Sequence, residues 1–217
     1  MECKYCKNRC IKKGMRHGVQ KYQCKHCGKY QQAVYLKRRI KRWKYYKAKG
    51  LNKENCGVSS MSRLLNISKT SVLRLLRELK ARLKKPVFKE CNQSYEIDEI
   101  KTFCGNKGNE TWLIYAINRE TKQVIEAFVG RRTKENIKKV TDIVLKLNPK
   151  HIYTDKLNIY RSLLPERIHK YYKRCTNHIE RMNLTIRTQL KPLNRKTIGF
   201  TRSEEMLYCK FCLWAWG

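Results

Sequence analysis

The sequence predicts an α/β protein: a mixed five-stranded sheet with flanking helices, preceded by a small cysteine-built ribbon and a pair of short helices. Three observations lead there. Two Cys-x2-Cys spacings open the chain at Cys3/Cys6 and Cys24/Cys27, two short amphipathic helical patterns follow, and from residue 93 strand-like runs alternate first with tight turns and then with helices.

Composition sets the class. The 217 residues suit one medium domain or two or three small ones, and 41% apolar content supplies a real core. Fifty-one Lys and Arg against seventeen Asp and Glu leave a formal charge of +34, far beyond what solubility needs, so a polyanionic partner is expected. Residues 1–90 hold 27 basic and 4 acidic side chains, the remainder 24 and 13, so the front reads as the principal nucleic-acid grip. No apolar run reaches the length of a membrane span and no signal peptide opens the chain, which predicts a soluble, cytoplasmic, DNA-associated protein with no membrane partner. Eleven cysteines, an odd number, argue against a full set of disulfides; metal binding in a reducing cytosol is the better account.

In chain order, Cys3, Cys6, Cys24 and Cys27 have close to the spacing at which two knuckles clasp one tetrahedral Zn²⁺, a structural site because four thiolates close the shell. The residues between them fit a short hairpin, making a zinc ribbon over 1–34 that is too small to fold without its metal. Cys10, His17 and His26 are spare candidates; Cys10 could compete as a ligand, and His26 is expected to face solvent or a phosphate.

Residues 35–85 predict a helix-turn-helix DNA-binding domain. Leu36 to Lys49 is densely basic with interleaved aromatics, so Arg38, Arg39 and Arg42 are expected on phosphates unless the helix is merely solvated. Met61, Leu64 and Leu65 predict the inner side of one helix, Asn66-Ile67-Ser68 a turn, and Ser68 the cap of a second helix whose inner face is Val72, Leu75, Leu76 and Leu79. Lys69, Thr70, Ser71 and Arg74 then stand at the exposed start of that helix, where base edges and phosphates are reached. Residues 86–92 read as a linker, with Pro86 ending the helix.

Residues 93–217 form the last expected domain. Tyr95–Phe103, Thr111–Asn118 and Gln123–Gly130 read as three strands of an antiparallel meander; Thr133 caps a helix from Lys134 to Leu147, and His151–Asp155 is a fourth strand. Strand-strand-strand-helix-strand is the order of the RNase H-like fold, in which the fourth strand lies parallel beside the first. Asp98 and Asp155 then become neighbours. Further on, Ile179, Met182, Ile186 and Leu190 make an apolar stripe on a helix that packs across them, with Glu180, Arg187 and Lys191 along its shoulder. Two aspartates from strands and a glutamate from a helix are the parts that hold divalent metals for phosphoryl transfer. The bland alternative for Glu180 is a capping box with Asn177. Glu99 could replace Asp98, but strand alternation puts the two on opposite faces; Asp142 lies mid-helix on a solvated face and is excluded. His169 and His178 lie near the site, with a surface role preferred.

Ile97-Asp98-Glu99-Ile100, Tyr153-Thr154-Asp155, the run from Thr176 to Arg187 and Leu193–Phe200 resemble the motifs of DDE transposases of the insertion-sequence-one family, and the front resembles that family's DNA-binding part. The resemblance implies an RNase H-like DDE catalytic domain with Asp98, Asp155 and Glu180 as ligands of Mg²⁺ or Mn²⁺. It implies Arg187 at substrate phosphate, double-stranded DNA (element ends and target) as partner, and a homodimer or higher oligomer in a prokaryotic cell. The sequence departs where the family carries Trp near Lys101 and Gly-Trp at Lys156-Leu157, and the tail beyond Glu204 stops abruptly, which suggests a truncated or weakly active copy. Cys209-x2-Cys212 reads as part of a docking helix rather than a metal site. The rival readings are a non-catalytic regulator with a degraded catalytic domain, and a nuclease that cuts without joining.

Overall fold

The computed structural model describes residues 1–34, 40–88, 92–172, 174–194 and 199–217, so Arg38 and Arg39 lie outside the described residues, as does the 195–198 part of the Leu193–Phe200 motif. The chain forms two compact units, Met1–Lys41 and Arg42–Gly217. No helix among the described residues is long and apolar enough to cross a membrane.

In the first unit β1 (Cys10–Arg16), β2 (Val19–Cys24) and β3 (Tyr30–Gln32) make an antiparallel sheet in that order. Arg16 pairs with Val19 around a two-residue turn in which His17 and Gly18 both have positive φ (50° and 75°). That is the turn whose twist suits a tight hairpin. The buried side chains are led by cysteines, which makes the unit a hairpin wrapped around sulfur rather than around hydrocarbon.

The second unit begins with α1 (Arg42–Lys53), α2 (Val58–Leu65) and α3 (Lys69–Arg82). Asn66 ends α2 in the left-handed conformation (φ 47°), and the Ser68 hydroxyl accepts the Ser71 N–H to start α3, as the sequence predicts. Met61, Leu65, Val72, Leu75 and Leu76 are buried; Leu64, expected inward, is 51% exposed. In so short a helix the Met61/Leu65 pair, one turn apart, already spans the contact, and Leu64 falls beside it.

The sheet contains β4 (Ser94–Phe103), β5 (Glu110–Asn118), β6 (Val124–Gly130), β7 (His151–Tyr153) and β8 (His169–Lys170) in the order β6-β5-β4-β7-β8. β4, β5 and β6 are antiparallel, and β7 and β8 run parallel to β4, the placement expected for the fourth strand. The two-residue β8 carries no sequence signal of its own. One face buries Tyr95, Ile97, Ile114, Ala116 and Ile125 against α4 (Lys134–Leu145) and Tyr160 of α5 (Asn158–Arg161). The other buries Ile100, Leu113, Tyr115 and Ile117 against Ile179 and Ile186 of α6 (Asn177–Gln189) and Leu207 and Phe211 of α7 (Glu204–Ala215). α7 is buried nearly all round because it also meets α1 and α3, where Arg77 clasps Glu205 through two hydrogen bonds of 2.8 and 2.9 Å. A helix apolar on every side is the sequence signature of such a position.

Candidate functional site

β7 pairs with β4 only along Ser94–Glu96, Tyr153 standing opposite Glu96. Asp155 lies two residues past Tyr153 and Asp98 two past Glu96, so both carboxylates reach the same level where β7 has ended and β4 continues. Oxygens of Asp98, Glu99 and Asp155 lie within 4.8 Å of one another. Alternation does send Asp98 toward α6 and Glu99 toward α5. Past the end of β7, though, no strand separates the two faces, and Glu99, set aside on alternation, joins the cluster.

Each carboxylate is aimed by a neighbour. Asp98 Oδ1 accepts the Glu99 N–H (2.8 Å) and Oδ2 accepts the Asn183 side-chain amide (2.6 Å); Asn183 in turn accepts the hydroxyl of Tyr115 (2.7 Å), the residue paired with Asp98 across the sheet. Glu99 Oε1 accepts the Tyr160 hydroxyl at 2.5 Å, and Asp155 Oδ1 accepts the Leu157 N–H at 3.0 Å. Burial raises Asp98 to about 6 and Glu99 to about 7, and the charge of Asp155 adds to both. Three oxygen donors gathered at this cost in repulsion suit a hard divalent cation, which favours carboxylate ligands and would relieve that repulsion.

Glu180 is exposed on the first turn of α6 and accepts the Thr176 hydroxyl at 3.0 Å. Its charge reaches Asp98, but its oxygens lie outside the 4.8 Å group. Nor does it close a capping box: the α6 N-terminus is capped from the sheet by fully buried Glu96, whose carboxylate accepts the Ile179 N–H (2.8 Å) and also bonds His178 Nδ1 (2.6 Å) and pairs with Arg119 (3.3 Å). The two histidines expected at the surface are therefore engaged. His178 holds Glu96, and His169 is buried on β8 with Nε2 2.8 Å from the Thr154 hydroxyl. Half-buried Arg187 donates to the Leu193 carbonyl (3.1 Å) and lines a cavity of about 300 Å³ with Lys101 and Lys107.

The sulfurs of Cys3, Cys6, Cys24 and Cys27 also lie within 4.8 Å of one another, with Cys3–Cys27 at 3.6 Å and Cys6–Cys24 at 3.4 Å. Zn–S bonds of about 2.3 Å put tetrahedral sulfurs about 3.8 Å apart, so the four fit one ion. The knuckles match: Lys7 N–H bonds the Cys3 carbonyl and Gly28 N–H the Cys24 carbonyl, each donor at positive φ (61° and 68°). Cys10 is buried beside them, outside the group. Cys209 and Cys212 are buried in α7 and belong to no metal-ligating group among the described residues.

On the helices, Lys69, Thr70 and Arg74 are exposed at the start of α3, Arg74 lying 3.7 Å from Glu78. Ser71 is half-buried, its hydroxyl 2.9 Å from that of Ser68. Arg42 is exposed with its guanidinium 5.8 Å from the Tyr46 ring centre.

A family model described as IS1 transposase matches residues 92–211. The chain is 38% identical over 111 residues to the insertion element iso-IS1n protein InsB of Shigella dysenteriae, a match covering 51% of this chain and 85% of that one. It is 33% identical over 111 residues to the insertion element IS1 4 protein InsB of Escherichia coli (strain K12), covering 51% and 66%. With the IS1 protein InsB of Shigella flexneri the identity is 32%, covering 51% and 85%. Among solved structures, a chain of the simian T-cell lymphotropic virus intasome in complex with a PP2A regulatory subunit aligns over 77% of this chain and 64% of that one, with 18% identity and a TM-score of 0.38, too slight a likeness to argue from.

Proposed function

Because the chain belongs to the IS1 transposase family, we propose that it is a DNA transposase that binds the terminal repeats of an insertion sequence, cuts a strand there and joins it to target DNA. The observation that carries this is the convergence of Asp98, Glu99 and Asp155 from β4 and the end of β7. In this reading the RNase H-like domain uses Asp98, Asp155 and Glu180 to hold Mg²⁺ or Mn²⁺, with Glu99 contributing an oxygen beside them. Ions held there would supply activation of an attacking oxygen, water or a 3′-hydroxyl, and stabilisation of the leaving one. The protein's own part is to keep these oxygens fixed: Asn183 turns Asp98 toward the gap, Tyr160 restrains Glu99 and the Leu157 N–H restrains Asp155. Burial holds both Asp98 and Glu99 above the usual carboxylate range, and a bound divalent cation would favour their ionised forms. Arg187 contacts substrate phosphate. The cysteine ribbon holds structural zinc, Lys69, Thr70, Ser71 and Arg74 meet DNA from α3, and Arg38, Arg39 and Arg42 meet its backbone. Pairing two element ends calls for at least a dimer.

The test is Mg²⁺-dependent strand transfer of an oligonucleotide ending in a terminal repeat. Wild type cuts and joins, while Asp155→Ala binds equally and does neither. Binding by both with cutting by neither leaves the regulator reading; cutting without joining leaves the nuclease.

A further inference from the structure

Three arginines share a cavity whose lining includes none of Asp98, Glu99 and Asp155. Its volume is about 660 Å³, and Arg131, Arg132 and Arg202 line it together with Trp112, Glu110 and Glu204. Both acids in it are already engaged. Glu110 pairs with Lys101 (2.5 Å) and accepts the Trp112 indole N–H (2.7 Å), and Glu204 accepts the Thr111 hydroxyl (3.2 Å). No carboxylate among the described residues lies within ion-pair distance of any of the three guanidiniums. All three arginines are exposed, and the Arg132 guanidinium carbon lies 4.1 Å from the Trp112 ring centre. The lining also includes Thr133 and Ser203, the capping residues of α4 and α7, whose N-terminal dipoles favour an anion.

The cavity borders the sheet face that carries Glu99. Glu99 pairs across the sheet with Ile114, and Lys101 with Trp112, so Glu99, Lys101 and Trp112 share one face of the sheet, and Arg132 is near enough for its charge to reach Glu99. A guanidinium cluster whose N–H donors make no contact ion pair among the described residues suits phosphate, which it engages through paired N–H donors.

We infer that the cavity between the starts of α4 and α7 binds the phosphodiester backbone of DNA flanking the strand held at the acidic cluster, through Arg131, Arg132 and Arg202. That the anion is DNA rests on the function proposed above; that the cavity takes phosphate does not.

The experiment compares the full chain, wild type and Arg131→Gln/Arg202→Gln, in fluorescence-anisotropy titrations of duplex DNA across a salt series without magnesium. A control, Lys146→Gln/Lys150→Gln, removes equal charge from exposed positions at the other end of α4. Each lost phosphate contact lowers the slope of log K against log salt by about 0.9. The expected result is a slope shallower by about 2 for the arginine pair, little change for the lysine pair, and equal melting temperatures. An arginine slope equal to that of wild type overturns the inference. If the slope is unchanged while inorganic pyrophosphate raises the melting temperature of wild type and not of the arginine variant, the cavity takes free phosphate and the DNA assignment falls. Failure of the transposase reading shows separately, as wild type that binds duplex and cuts nothing when magnesium is added.

Discussion

Asn183, three residues beyond Glu180 on α6, donates its side-chain amide to Asp98 at 2.6 Å and so locks the helix to the strand at the level of the acidic cluster. Because Tyr115 fixes the far side of the same amide, the carboxylate has little rotational freedom. Partners of this kind orient metal ligands, and their loss commonly costs about 10- to 100-fold in metal affinity or activity. Asn183→Ala is expected to raise the magnesium concentration for half-maximal cleavage by about that factor while leaving duplex affinity unchanged. Cleavage measured against magnesium checks it, and an unchanged midpoint removes Asn183 from the site.

The raised values of Asp98 and Glu99 make a statement about stability. A carboxylate whose folded value lies above its unfolded one favours the fold fully at low pH, and that contribution is lost as pH rises through the folded value. For Asp98 the window runs from its ordinary value near 3.8 to about 6, and the loss is on the order of 3 kcal/mol. Asp98→Asn, which cannot ionise, should therefore gain on wild type between pH 4 and pH 8. Added magnesium should narrow the gap at pH 8 by restoring the wild type. Urea melts at the two pH values, with and without magnesium, decide it; a gap that widens toward acid contradicts the sign.

Within the ribbon unit, Cys27→Ser leaves three sulfurs and should abolish stoichiometric zinc and the protection of the β1–β2 amides, since so small a hairpin has no other core. Cys10→Ser should keep the zinc. Metal content and hydrogen exchange of both variants are the measurements, and zinc lost from both would make Cys10 a ligand.

The α7 junction sets burial against ion pairing. Phe211 is fully buried against Tyr115 and Trp216, so Phe211→Ala should cost about 3–5 kcal/mol. The Arg77–Glu205 pair is half exposed, and Arg77→Gln should cost less than about 1 kcal/mol despite its two-pronged geometry. Chemical denaturation of the two variants ranks them.

Local pattern was legible throughout. The spacing of the four cysteines, the Ser68 and Thr133 caps, the alternation in β4, the unbroken apolar run of β5 and the stripe of α6 are properties of neighbours in the chain, and periodicity reports them without knowledge of what packs against them. The placement of β7 beside β4, and hence of Asp155 beside Asp98, followed from the likeness of the element order to the RNase H-like fold. What the sequence did not carry is how far each strand runs beside its neighbour. Because β7 stops opposite Glu96, alternation ceases to keep Glu99 apart from Asp98, and Glu99 enters the cluster while Glu180 is not part of it. The Glu96 cap on α6, the Asn183 clasp and the burial of α7 between sheet and helices likewise join residues tens of positions apart. Such contacts depend on register and three-dimensional packing, which no window along the chain contains.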